Sequence, residues 1–243
     1  MKDFLIDIVE HTVPLASFEH IRVDGTDTET KISSTEKERS VVLRAKLHAT
    51  VPEFAGTFGI PNLNLLNTLF KIPEYQDAKA KLAVDRKTVN GAEQPTAIKF
   101  ENGTGDFKND FRLMASNIIE SVEPVLKFNV TSWPVSFVPT IAAQQRLKYQ
   151  TGANPEEKAV TFRVEGGEVK AILGDASSHS GSFVFHTGVD PKAKETIVVP
   201  VLVVNAILAL NGDKKMQMGG PGMMITVDSG VASYDYIIPM LTK

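Results

Sequence analysis

Apolar residues fall at helical spacing near the start of the chain, where Phe4, Leu5, Ile8 and Val9 share one face. The helix is expected to stop before Pro14, because a proline ring removes a backbone donor and clashes with the preceding turn. From Glu19 to Leu47 the pattern changes to short extended runs over residues 21–24, 30–33 and 41–47, divided by Gly, Asp and charged turn residues. A further strand over 54–58 leads to Pro61, which is placed in the first turn of the next helix, where its missing N–H costs nothing. In that helix Leu63, Leu66, Leu69 and Phe70 take one side, and Asn64, Asn67, Thr68 and Lys71 take the other. Strands near 80–85 and 96–101 follow, then a hairpin through Gly103-Thr104-Gly105-Asp106 and a strand ending near Met114.

The second half repeats this order. Residues 116–124, which end in Pro124, read as a connector; a strand over 126–130, a helix over 141–150, strands, a helix over 201–210 and more strands come after it. The last strand, 233–240, carries Tyr234, Tyr236, Ile237 and Ile238. Landmarks recur in sequence order with only slow drift in spacing. Ile21-Arg22-Val23-Asp24-Gly25 returns as Phe162-Arg163-Val164-Glu165-Gly166, and Pro14 returns as Pro155. Ser40-Val41-Val42-Leu43 matches Ser182-Phe183-Val184-Phe185, and Ile60-Pro61-Asn62-Leu63 matches Val199-Pro200-Val201-Leu202. Ile98-Lys99-Phe100-Glu101-Asn102-Gly103 pairs with Ile225-Thr226-Val227-Asp228-Ser229-Gly230. The chain therefore reads as an α+β protein built from a duplicated unit, with domains over 1–115 and 126–243 and a connector over 116–125.

A length of 243 residues accommodates two domains of ordinary size. Hydrophobic residues at 42% and charged residues at 23% are ordinary for a soluble globular chain, and the formal charge of −3 offers no general basic excess for gripping nucleic acid. Any contact with DNA must then be local or loose. The absence of cysteine excludes disulfides, thiolate metal sites and Cys nucleophiles, and agrees with a reducing cytoplasm. No signal peptide is expected, and the apolar run 197–210 is too short to cross a bilayer; it reads as a strand leading into a buried helix.

Groupings that carry catalysis are scarce. The histidines His11, His20, His48, His179 and His186 form no H-x-x-x-H pair, so no metal site is expected. Met218-Gly219-Gly220-Pro221-Gly222 lacks the Gly-Lys-Ser/Thr of a phosphate-binding loop and reads as a hairpin turn. Gly105-Asp106-Phe107-Lys108-Asn109-Asp110 has too few oxygen ligands for a calcium loop. Ser178-His179-Ser180 has no acidic partner fixed by the sequence, and the sequons at Asn102 and Asn129 accompany no secretory signal. Neither an enzymatic activity nor a cofactor is expected.

Three stretches resemble the DNA sliding clamps, most closely those of T-even-like tailed bacteriophages. They are Phe58-Gly59-Ile60-Pro61-Asn62-Leu63-Asn64 leading into an apolar helix, residues 160–171 with the turn Glu165-Gly166-Gly167-Glu168-Val169, and Val231-Ala232-Ser233-Tyr234-Asp235-Tyr236-Ile237-Ile238-Pro239-Met240. The resemblance implies a clamp-type domain with two helices packed on antiparallel sheets, present twice per chain. It further implies a homotrimeric ring of six domains around duplex DNA, a DNA polymerase tethered to it, an ATP-driven loader, and cytoplasmic location in the host cell. Lys2, Lys71, Lys79, Lys81, Arg146, Lys148, Lys214 and Lys215 become the candidates for phosphate contact, with an ordinary solvated charge as the competing reading for each. Asp3, Asp7 and Glu10 sit opposite the apolar face of the first helix, so that helix is rotated, or relies on Lys2 and His11, or meets DNA only weakly. A partner groove is expected at Val41, Leu43, Ile118, Ile119, Tyr236, Ile238 and Pro239, which are otherwise core residues. A structural protein of a virion or other assembly, built from a duplicated β-rich unit, is the alternative, and an enzyme with its site at the domain junction is a third reading.

Overall fold

A computed structural model describes residues 1–38, 40–89, 92–124, 132–175 and 179–241. The expected strand over 126–130, the sequon at Asn129 and Ser178 lie outside the described residues. The chain divides into two compact units, one of Met1–Lys37, Leu43–Leu126 and Ser229–Tyr234, the other of Glu38–Val42, Lys127–Asp228 and Asp235–Lys243.

The first unit opens with helix α1 (Lys2–Thr12), and a short 3-10 turn, Val13–Leu15, closes it at Pro14. Leu5 and Ile8 are fully buried, each adding about 1.5–3 kcal/mol of transfer free energy. Strands β1 (His20–Gly25), β2 (Thr30–Thr35), β3 (Val42–Leu47) and β4 (Gly56–Pro61) form an antiparallel sheet in the order β4-β1-β2-β3. Strand β1 is paired on both sides: Val23 lies opposite Ile32 of β2 and Phe58 of β4, and all three side chains are buried. Helix α2 (Leu63–Phe70) packs against α1, and the single turn α3 (Pro73–Gln76) follows. Strands β5 (Lys81–Val89), β6 (Ala92–Glu101) and β7 (Lys108–Arg112) make a second sheet, after which comes helix α4 (Ser116–Val122).

The second unit has the same plan. After the short strand β8 (Val135–Phe137) comes helix α5 (Ile141–Ala153), then β9 (Ala159–Glu165), β10 (Glu168–Leu173), β11 (Gly181–Thr187) and β12 (Thr196–Pro200) in the order β11-β10-β9-β12. Helix α6 (Val201–Leu208) precedes β13 (Asp213–Gly219), β14 (Gly222–Asp228) and β15 (Ala232–Pro239), and β8-β13-β14-β15 are neighbours. Each first sheet thus places its four strands in the order fourth, first, second, third. The paired sequence landmarks fall on equivalent strands, β1 with β9, β3 with β11 and β6 with β14.

Several local expectations change. Phe54 lies in a 3-10 turn begun by Pro52, so the strand starts later, at Gly56. Pro61 ends β4 opposite His20 instead of opening α2. The capping is done by Asn62, in left-handed conformation at φ 45°, whose side chain accepts from Leu65 N–H at 3.1 Å. Residues 116–122, expected as connector, form α4 with Ile119 fully buried. Asp7 points inward on α1 and not away from its apolar face: it accepts from Tyr234 Oη at 2.6 Å and Ser229 Oγ at 3.0 Å, while the His11 ring stacks on Tyr234 at 4.5 Å. Burying a carboxylate is costly unless donors meet it, and here two hydroxyls do.

Glycine is required where the Pro52–Phe54 turn crosses the end of β1, since a Cβ on Gly25 would lie 2.0 Å from the Phe54 carbonyl oxygen. Gly25→Ala is expected to cost about 1–3 kcal/mol. Gly152, inside α5 with no atom near its Cβ position, is expected to gain roughly 0.5–1 kcal/mol on mutation to Ala. Urea denaturation of both variants checks this pair of opposite signs.

Candidate nucleic-acid and partner interfaces

The helices of the two units differ in the charge they expose. On α1 the exposed charged residues are Asp3 and Glu10, and Lys2 is held back because its Nζ donates to Tyr75 O at 2.7 Å. Helix α2 carries no charge along its length and exposes Asn64, Leu65 and Thr68. Helix α5 is capped by Thr140, whose hydroxyl accepts from Ala143 N–H at 3.1 Å. It buries Ala143 and Leu147 four residues apart, contains Arg146 and Lys148, and has no acidic residue. It packs against α6, where Asn205 Nδ2 donates to Thr151 Oγ1 at 2.8 Å. Helix α6 is uncharged and exposes Leu202.

The eight basic candidates separate by what their side chains already do. Lys214 donates to the carbonyls of Leu210 at 2.5 Å and Gly212 at 2.8 Å, and burial pushes its pKa down. That ammonium is committed to the chain leaving α6. Lys81 lies 3.9 Å from Glu101 on the exposed face of the second sheet of the first unit. There Lys108 also pairs with Glu101 at 2.9 Å and Lys99 with Asp85 at 3.1 Å. Lys71, Lys79, Arg146, Lys148 and Lys215 are exposed and make no ion pair among the described residues.

For the partner groove the structure divides the seven candidates sharply. Val41, Leu43, Ile119, Tyr236 and Ile238 are fully buried, so their side chains are spent on packing and offer no free surface. Pro239 is half-buried, and Ile118 stands 49% exposed. Sequence reasoning missed Val122, also 49% exposed and one helical turn from Ile118 on the same side of α4. The signal was there in helical phase: Ile119 faces in, so Ile118 and Val122 face out together.

The position of α4 is fixed by contacts with β1, β2 and β4. Ile119 packs on Gly59, where a Cβ would come within 2.9 Å of its Cδ1. Glu123, at the helix end, accepts from Thr35 N–H at 3.0 Å and Thr35 Oγ1 at 2.6 Å, and His20 Nε2 stands 3.6 Å away. Arg22 Nη1 donates to the Glu123 carbonyl at 3.3 Å, and its guanidinium grips Asp24 through Nε at 2.7 Å and Nη2 at 3.0 Å. Burial raises the Glu123 pKa, but the nearby His20 ring and the two Thr35 donors outweigh it and hold the carboxyl below its ordinary value. Asp24 is likewise lowered, with burial opposed by Arg22 and Thr57. Among the described residues no cluster of three or more metal-ligating side chains occurs, and no helix is long and apolar enough to cross a membrane.

No protein-family model matches the sequence, and no curated protein matches it in sequence. Solved structures do match the fold, 362 chains in all. The A. fulgidus PCNA, in a structure with the C-terminal region of FEN-1 bound to it, aligns with a TM-score of 0.68 at 12% identity, covering 99% of this chain and 96% of that one. PCNA from Thermococcus kodakaraensis aligns with a TM-score of 0.69, again at 12% identity and with 99% and 96% covered. The chain therefore has the α+β clamp fold of PCNA along its whole length, as a duplicated clamp-type domain. At this identity the likeness is one of fold.

A carboxyl whose folded pKa lies below its unfolded value stabilises fully above the unfolded value and loses that contribution as pH falls through the folded one. Glu123 is such a group, so the first unit is expected to weaken as pH drops below about 4.5, the ordinary value for Glu. Glu123→Gln is expected to lower the melting temperature at neutral pH and to flatten this acid-side loss. Thermal melts of both proteins from neutral to acid pH check it.

Proposed function

We propose that this protein is a DNA sliding clamp: three chains close head to tail into a ring around duplex DNA and tether the replicative polymerase for processive synthesis. The observation that carries the reading is a clamp fold matched over 99% of the chain by a sequence that visibly repeats itself. Open sheet edges agree with it. In the second unit β11 ends its sheet, and in the first β5 and β7 end theirs; exposed edges invite strand addition, and a head-to-tail contact that closes by rotation covers them in a ring. Such a ring holds DNA by topology, so it reads no bases and needs no strongly basic surface. An ATP-driven loader opens it, and the clamp itself catalyses nothing. A phage type of clamp, working in the cytoplasm of an infected host, is the reading that the resemblance of residues 58–64, 160–171 and 231–240 supports.

Partners dock as short apolar peptides, a mode in keeping with the A. fulgidus PCNA bound to the C-terminal region of FEN-1. Of the residues first considered, Ile118 and Pro239 keep a direct role; Val41, Leu43, Ile119, Tyr236 and Ile238 act only by packing beneath the surface. Val122 joins Ile118 on α4.

Light scattering over a range of concentrations tests the ring: the expected mass is three times the 26.5 kDa chain, falling to one chain on dilution. A strict monomer at high concentration contradicts it, and a very large assembly favours a structural protein. Ile118→Ala with Val122→Ala is expected to weaken polymerase binding about tenfold, some 1.4 kcal/mol, with the mass unchanged. Tyr236→Ala and Ile238→Ala are expected instead to destabilise the fold by about 2–5 kcal/mol. Calorimetric titration and melting curves separate the two effects.

A further inference from the structure

The last turn of α5 is tied to the first residues of β11. Pro155 disfavours helical geometry in the residue before it, and Asn154 leaves the helix at φ −126° and ψ 63°. Asn154 is only 3% exposed, and its backbone and side-chain polar groups are all engaged. Its N–H donates to Gln150 O at 3.1 Å, and its carbonyl accepts from Glu157 N–H at 3.1 Å. Its Oδ1 accepts from Gln150 Nε2 at 2.7 Å, while its Nδ2 donates to His179 O at 2.8 Å. Gln150 also lies against Gly181, the first residue of β11, where a Cβ would fall 1.9 Å from Gln150 Nε2. Over residues 181–184 strand β11 pairs with β10 in regular register, and Phe185 then bulges opposite the step from Val169 to Lys170. Strand β11 ends its sheet, so the other side of this regular run is an open edge among the described residues. In the first unit the residue before Pro14 is Val13, which has no side-chain amide, so the duplicated plan does not itself demand this tie.

We infer that Gln150 and Asn154 are positioning residues for self-association: they set the open edge of β11 over residues 181–184, onto which a strand of a second copy of this chain adds. The inference rests on the ring proposed above for the identity of the occupant. An added strand must meet N–H and C=O groups at fixed spacing, and an edge that frays or rotates presents them out of phase. The Gln150 amide packs on Gly181 and the Asn154 amide holds His179 O, so the start of the edge is fixed from beneath. At the far end the bulge at Phe185 stops the regular run, because an extra residue puts the following backbone groups out of step. The added strand is therefore short. A short strand makes few hydrogen bonds, which suits a ring that opens and closes. Fixing the edge before contact lowers the ordering cost of association, and that is where the two amides act. Neither amide needs to touch the partner; each works through the backbone of residues 179–181.

The test is light scattering of the full chain over a dilution series, which gives the midpoint concentration of dissociation, set beside thermal melts at the most dilute point. Gln150→Ala and Asn154→Ala are each expected to raise that midpoint about tenfold, the effect of one lost buried hydrogen bond. Gly181→Ala is expected to do the same, because its methyl displaces the Gln150 amide. Adding Gln150→Ala to Gly181→Ala removes the clash and is expected to cost no more than Gln150→Ala alone. Thr151→Ala is the control: it breaks the bond to Asn205 in the same turn of α5, on the side of α6. It is expected to lower the melting temperature and leave the midpoint where it was. An equal shift of the midpoint by Thr151→Ala reduces Gln150 and Asn154 to general stability and overturns the inference. Unchanged midpoints for Gln150→Ala and Gly181→Ala, with folding confirmed by circular dichroism, overturn it as well. Hydrogen exchange over residues 181–184 keeps the two ideas apart. If every protein stays a monomer, the ring and the self-association fail together; faster exchange in Gln150→Ala then leaves the tie to β11 standing, and unchanged exchange removes that too.

Discussion

Pairing of one central strand on both sides is the constraint from which the rest of each unit follows. In the first unit β1 is bonded to β2 and β4, and in the second β9 is bonded to β10 and β12. Along β9, Val160, Phe162 and Val164 alternate inward and are buried, while Arg163 and Glu165 face out. That alternation fixes the register, because a slip by one residue would turn every apolar group to water. With the register fixed, the sheet offers one apolar face, and the unit completes its core by laying two helices and a second sheet around it. The same solution arises twice because the same spacing of apolar and turn residues occurs twice.

Within that frame the helices are free to differ on their outer sides, and they do. Core positions of α1 and α5 are set by the sheet beneath, but the outward residues carry opposite charge. A duplicated unit need not keep duplicated surfaces.

Much of the fold was legible in the sequence. Strands β1, β9, β6 and β14 announced themselves through paired landmarks that end in an acidic residue and a nearby Gly, and helix α5 was expected over 141–150, ahead of Pro155. Local punctuation was harder. Pro61 is compatible with a strand end or a helix start, and only the side-chain cap from Asn62 decides between them. Asp7 looked like a surface charge because its two donors, Tyr234 and Ser229, lie more than two hundred residues away in sequence. The sites were less legible for the same reason. Tyr236 and Ile238 have the composition of a docking strand and of a core strand alike, and burial chooses the core. Lys214 has the composition of a phosphate contact, but the carbonyls of Leu210 and Gly212 claim it. In both cases the deciding groups were long-range or backbone atoms, which residue identity does not reveal.

The central claim is encirclement, and retention on DNA of two shapes tests it most directly. The protein is assembled on a nicked circular duplex with the proposed ATP-driven loader, the circle is freed of unbound protein, and half is then cut once. The expected result is that clamps stay on the closed circle through high salt and run off the linear product within the dead time. Equal retention on both shapes, or equal loss from both, contradicts a topological hold and with it the reading of this protein as a sliding clamp.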